Sequence, residues 1–200
     1  MTIDRPWRQV QPREAATWLS PLTITWWFAG GWALDLFVGT VTRRHQDLDV
    51  GIFRRDALAV LASLPAWEFF EARDGVLTPI LDRHAPRPEV NSLWCRRKGI
   101  LEWELELMLD DSDADHWVFR RHHQIRRPLK LAILRNSEGT SYLAPEIQLL
   151  YKARSTRAQD QADFDYVVPR LDSDARSWLR DSLAIADPGH SWLSALKVGA

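Results

Sequence analysis

Cysteine is almost absent from these 200 residues, and the single Cys95 excludes both an internal disulfide and a cysteine-based zinc site. An excess of charge of one sign is missing too: 26 Lys and Arg face 27 Asp and Glu, a formal net charge of −1. That balance argues against a dedicated nucleic-acid binder, although a local basic patch is compatible with it. No apolar run approaches the roughly 18–20 residues that a membrane helix needs. Residues 1–10 carry Asp4, Arg5 and Arg8 without an apolar stretch, so no secretory signal is expected. No internal repeat or low-complexity linker interrupts the chain. The expectation is a cytoplasmic protein with no membrane partner.

What is present is ordinary in bulk and unusual in one respect. Hydrophobic residues make up 46% and charged residues 26%, which suits a globular protein of one large or two small domains. Tryptophan is over-represented, with 11 copies. Most are expected to fill core volume, and a few could line a substrate cleft.

The pattern of elements divides the chain near residue 140. Pro12 and Glu14 suit a first helical turn, with Ala15, Trp18 and Leu19 as its apolar stripe. Thr23–Phe28 reads as a strand ending in a tight turn at Gly30-Gly31, and Trp32–Val38 as a short helix closed by Gly39. Asp47–Phe53 is a second strand, and Asp56–Leu64 a helix stopped by Pro65. Trp67–Arg73 and Val90–Arg96 are further strands, separated by a loop containing Pro79, Pro86 and Pro88. Leu101–Leu109 alternates apolar residues with Glu102, Glu104 and Glu106, so one face is apolar and the other acidic. Trp117–Tyr142 adds two short strands with a basic connection. Helices follow: Pro145 at a first position with Lys152 and Arg154 in the last turn, then Asp160–Val168, then a helix N-capped by Ser173 and ended by Pro188-Gly189. The residues thus predict an α/β domain over 1–140 and a helical domain over 141–200.

The chemistry concentrates in Asp47-Leu48-Asp49-Val50 and the glycine doublet before it. Carboxylates two positions apart on a strand share a face, and like charges held together call for a cation, most naturally Mg²⁺. A glycine doublet running into a helix offers backbone N–H groups and a positive helix end to phosphate.

Gly30-Gly31-Trp32-Ala33-Leu34-Asp35 followed by Thr42-Arg43-Arg44-His45-Gln46-Asp47-Leu48-Asp49-Val50 resembles the nucleotidyltransferase superfamily that includes DNA polymerase beta. The likeness is greatest to its aminoglycoside and lincosamide nucleotidyltransferases. It is specific over residues 28–53 and weaker at Leu101–Leu109 and Pro145–Phe164. The resemblance implies an α+β fold, a mixed sheet flanked by helices with a small C-terminal helical domain. It also implies transfer of a nucleoside monophosphate, AMP by preference, from ATP or another NTP to a hydroxyl of a small molecule. Two Mg²⁺ ions would be held by Asp47, Asp49 and a third carboxylate, with the nucleotide at Gly30, Gly31, Trp32, Arg43, His45 and Lys152. Spacing alone does not choose the third carboxylate; the family pattern favours Glu106, with Glu104 second. Glu departs from the Asp of many relatives, and its extra methylene matters to geometry.

Other readings stay open at this level. Arg43, Arg44 and His45 could touch phosphate or pair with Asp35. Lys152 could reach a phosphate or only offset the helix dipole. Arg120-Arg121-His122-His123 with Arg126-Arg127 and Lys130 reads as a solvated edge or connecting loop rather than a nucleic-acid surface. Glu102, Glu104, Asp110, Asp111 and Asp113 would suit a cationic acceptor or an ordinary exposed turn. The acceptor could be a protein or tRNA instead of a small molecule, and a non-catalytic nucleotide-binding module is the remaining alternative. Oligomeric state is not readable from the sequence.

Overall fold

The structure, a computed structural model, describes residues 5–197, among which ten strands and eight α-helices alternate in an α+β arrangement. The chain divides into two compact units. One takes the described residues through Trp32 together with Arg43–Ser112; the other takes Ala33–Thr42 and the chain from Asp113 onward. The change from strands to helices near residue 140 is real, yet the short strands before it group with the helices. Composition marks where secondary structure changes, whereas packing decides which elements form one body.

The first unit is a mixed sheet with helices. In chain order it contains α1 (Pro12–Leu19), β1 (Trp26–Phe28), the start of α2 (Gly30–Val38), β2 (Asp49–Phe53), α3 (Ala57–Ser63), β3 (Trp67–Arg73), β4 (Val76–Pro79), β5 (Ser92–Arg97) and β6 (Leu105–Asp113). The strands run β4-β3-β5-β6-β2-β1, and every neighbouring pair is antiparallel except β2 with β6. Helix α3 forms because Ala57, Val60 and Leu61 fall at helical spacing and bury together. Phe70, Leu77 and Trp103 form one apolar cluster, with Trp7 and Trp94 packed against it.

Several expected boundaries move. The first strand keeps only Trp26–Phe28 of Thr23–Phe28, and the glycine doublet begins α2 instead of preceding it. Strand β2 starts at Asp49, so Asp47 lies just outside it. Arg54–Asp56 forms a 3₁₀ turn before α3, and β4 occupies residues assigned to a loop because of Pro79. Pro79 closes the edge strand β4, where a missing N–H costs no ladder bond. The acidic strand begins at Leu105 and not at Leu101; Leu101 is exposed, whereas Trp103 is buried in the cluster with Phe70 and Leu77 and its backbone bridges to Trp7.

The second unit holds β7 (His116–Val118), β8 (Arg126–Pro128), α4 (Leu129–Ala132), β9 (Ile133–Arg135), β10 (Ser141–Leu143), α5 (Pro145–Lys152), α6 (Ala158–Val167), α7 (Ser173–Ala186) and α8 (Trp192–Ala195). Four short strands thus replace the two expected, as two antiparallel pairs, β7 with β8 and β9 with β10. The N-cap of α7 is Asp172, whose side chain accepts from the Ala175 N–H at 2.8 Å, one residue before the expected Ser173. Phe164 and Trp192 stack at 4.1 Å. Of the 11 tryptophans, six are buried and the other five are half-buried, so the expected core role holds for most.

Candidate active site

Three carboxylates converge on the first unit. Oxygen atoms of Asp47, Asp49 and Glu106 all lie within 4.8 Å of one another, with Asp47 exposed and the other two half-buried. The sheet explains the convergence. Asp49 and Glu106 are register partners on the parallel pair β2 and β6, so their side chains leave the same face about one strand spacing apart, ~4.8 Å. The Glu106 N–H donates to the Leu48 carbonyl at 3.0 Å, fixing that register at the strand entrance. Leu48 is fully buried, which anchors the chain between the two aspartates. Asp47 then reaches the group from the residues before β2 and not from the strand itself.

The glycine doublet is built against these groups. Gly30 has φ +62°, and a Cβ there would overlap the Asp49 carboxylate. Only a glycine meets both requirements. A Cβ at Gly31 would collide with the imidazole of His45 and the guanidinium of Arg43. His45 is buried against Trp32, with ring centroids 4.5 Å apart. Gly30, Gly31, Trp32, Arg43, His45 and Asp49 are therefore gathered in one place. The Ala29 N–H donates to the Asp49 carbonyl at 2.9 Å and ties the start of α2 to β2. Asp35, the alternative partner for the basic residues, accepts from the Thr42 N–H at 3.2 Å and from its hydroxyl at 2.6 Å.

Glu104 occupies a different environment. Its side chain is fully buried, its Oε1 accepting from Arg97 Nη2 at 2.6 Å and Arg8 Nη1 at 2.9 Å, its Oε2 from the Arg97 N–H at 2.9 Å. Burial alone would raise its pKa, but the hydrogen bonds from Arg97 and Arg8 outweigh it and hold the carboxyl below the ordinary value. Glu104 precedes β6 and is spent on holding the N-terminal segment, where Arg8 also binds Glu14 at 2.6 Å.

Lys152 is likewise committed. Its buried ammonium lies 2.7 Å from Asp160 and 2.9 Å from Asp163, both buried. Burial works to raise the Asp160 carboxyl, yet Arg157 and Lys152 together pull it down to about 2. The surplus acids divide as well: Asp111 pairs with Arg54 at 3.0 Å, Asp113 pairs with Arg126, Asp110 is buried and Glu102 is exposed. They belong to a strand or its flank, not to one exposed acidic turn.

One neighbour of the carboxylates escaped the sequence reading. Trp94 on β5 is the antiparallel register partner of Glu106, which puts an indole on the same face of the sheet. It is half-buried, with Trp7 at 4.9 Å and Trp103 at 5.5 Å between ring centroids. Alternation within Ser92–Arg97 gives the face of Trp94, but the pairing that brings it to Glu106 requires the register.

The arrangement could hold a hard cation: three carboxylates close together, a glycine turn at a helix start, and basic groups beside it. The aminoglycoside-2''-adenylyltransferase family matches residues 13–83, which contain both glycines, Asp47 and Asp49. No curated protein matches by sequence. Among solved structures, the lincosamide antibiotic adenylyltransferase LnuA with lincomycin bound is similar with a TM-score of 0.55 and 15% identity, over 80% of this chain and 98% of that one. ANT(2'')-Ia in complex with adenylyl-2''-tobramycin gives a TM-score of 0.55 at 12% identity, over 86% and 95%. A solution structure of ANT(2'')-Ia gives 0.54 at 15%, over 84% and 86%.

Proposed function

We propose that this chain, which its matched segment and fold group with the nucleotidyltransferase superfamily near the aminoglycoside and lincosamide enzymes, transfers AMP from ATP to a hydroxyl of a small antibiotic-like molecule and releases pyrophosphate. The observation that carries the reading is the meeting of Asp47, Asp49 and Glu106 beside the Gly30-Gly31 helix start.

Asp47, Asp49 and Glu106 fit Mg²⁺ by ligand type and by their mutual spacing. When bound, Mg²⁺ supplies charge neutralisation of the triphosphate and of the oxygens around the α-phosphorus. The residues of the chain do the rest. The backbone N–H groups at the start of α2 face the phosphates, with no side chain at Gly30 or Gly31 to hold them off. Arg43 and His45, adjoining Gly31, add donors to the triphosphate. Glu106 orients the acceptor hydroxyl and takes its proton as the oxygen attacks the α-phosphorus, while pyrophosphate leaves in line on the far side. Trp94 beside Glu106 offers an aromatic wall to the acceptor ring.

Incubating the protein with α-labelled ATP, Mg²⁺ and a panel of aminoglycosides and lincosamides tests the reading. Label should appear on at least one hydroxylated acceptor with equimolar pyrophosphate, and Asp49→Asn should abolish both. Absence of transfer to every acceptor, with Asp49→Asn indistinguishable from wild type in nucleotide binding, would refute it.

A further inference from the structure

We propose that the second unit carries a separate binding site for a small amphipathic anion, a single ring or short apolar chain bearing a carboxylate or phosphate head. The site is a cavity of about 270 Å³ lined by Phe119, Arg121, His122, Leu150, Arg154 and Leu183, with Ala153, Ala186 and Asp187 completing it. An apolar cavity of roughly 150 Å³ accepts benzene, so this volume takes one ring with a head group. Phe119, Leu150 and Leu183 are each at most 2% exposed and form an apolar floor.

The mouth is cationic and unneutralised. Among the described residues no carboxylate lies within ion-pair distance of Arg120, Arg121 or Arg154, although Arg126 and Arg127 in the same connection are paired with Asp113, Glu146 and Asp174. Arg120 and Arg121 instead lean on the Tyr151 ring, 4.9 and 5.5 Å from its centroid. Arg121 makes one long hydrogen bond, to the Tyr151 carbonyl at 3.4 Å. Arg120 Nη1 and His122 Nδ1 are buried and make no hydrogen bond. Asp187, the one carboxylate on the lining, accepts from the Gly189 N–H at 3.2 Å. Partial burial, with Arg120 and Arg154 nearby, lowers Arg121 to about 10.

Arg120, Arg121 and Arg154 form no ion pair among the described residues and repel one another, and an anion at the mouth relieves that repulsion with planar, charge-assisted bonds. The basic run Arg120-Arg121-His122-His123 is thus more than a solvated loop: its Arg121 and His122 line the cavity while Arg126 and Arg127 close ion pairs. The apolar floor favours a body that enters the cavity; a nucleic-acid backbone would use the charges alone.

Calorimetric titration of the full chain in EDTA, with phenyl phosphate, benzoate, inorganic phosphate, benzyl alcohol and a short single-stranded RNA, tests this. At least one aryl anion should bind one-to-one, with inorganic phosphate and benzyl alcohol at least ten-fold weaker. Arg121→Gln and Arg154→Gln should each weaken it roughly ten-fold, while Asp49→Asn should bind as wild type, which separates this site from the proposed transferase centre. On the wild type, the arginine side-chain N–H resonances of Arg121 and Arg154 should shift with the bound fraction, a readout independent of how the variants fold. The proposal is overturned by equal binding of benzyl alcohol, by binding of RNA alone, by unshifted arginine resonances, or by no saturable heat from either aryl anion.

Discussion

Glu104 and Glu106 stand two residues apart and lead opposite lives. Glu104 is sealed beneath Arg8 and Arg97 and secures the N-terminal segment; Glu106, one strand position inside β6, faces Asp47 and Asp49. The same side chain is structural where cations and burial surround it, and is proposed as ligand and proton acceptor where acids surround it. The contrast teaches that a carboxylate is assigned a role by its partners and not by its place in an alternating pattern.

Breaking the contrast at Glu106 should have the largest effect. Glu106→Gln removes one proposed metal ligand and proton acceptor, and the transfer rate should fall about 10³-fold, several kcal/mol of transition-state stabilisation, while thermal melting stays near wild type. Initial rates of pyrophosphate release together with calorimetric melting check both halves. Gly30→Ala comes next. Its Cβ overlaps the Asp49 carboxylate and its φ is +62°, so the rate should fall by about 10²-fold and stability by roughly 1–2 kcal/mol.

Glu104→Ala should show the reverse signature. Glu104 is buried but Arg97 and Arg8 keep about a third of their side chains in solvent, so the loss should cost roughly 1–2 kcal/mol, with kcat within a few-fold of wild type. Urea unfolding and kcat measured on the same preparation separate the two glutamates. A smaller effect follows from pH. The folded-state pKa of Glu104 lies below its ordinary value, so the unfolded chain takes up the proton first. Its stabilisation is complete above the ordinary carboxylate range, near pH 4–5, and is lost as pH falls through the folded value. Asp160, lowered to about 2, behaves likewise down to that pH. Glu146 goes the other way, because burial outweighs Arg127 and raises it, so its ionisation opposes stability as pH rises. Melting temperatures between pH 6 and 3 should therefore fall less steeply in Glu104→Gln and Asp160→Asn than in wild type.

Much of the site was legible in the sequence because it depends on short-range features. The alternation of Asp47 and Asp49, the glycine doublet and the acidic strand are local patterns, and the structure brings all three together. The choice between Glu104 and Glu106 was not legible in spacing, and only the family resemblance favoured Glu106. It rests on where β6 begins and on Arg8, 96 residues away in sequence, whose guanidinium claims Glu104. Lys152 shows the same limit: its position in the last turn of α5 is visible, but the two aspartates of α6 that take its charge become partners only when the helices pack. Trp94 was visible as a strand residue and invisible as a neighbour of Glu106 until strand register was known. The short strands of the second unit were undercounted because three-residue segments carry too few alternations to read.

Manganese titration followed by electron paramagnetic resonance tests the central claim most directly, since Mn²⁺ takes the same oxygen ligands as Mg²⁺. With ATP present, wild type and Glu104→Gln should bind Mn²⁺ with the same affinity, while Glu106→Gln and Asp49→Asn should bind at least ten-fold more weakly. Equal binding by all four proteins, or weakening by Glu104→Gln alone, would contradict the account.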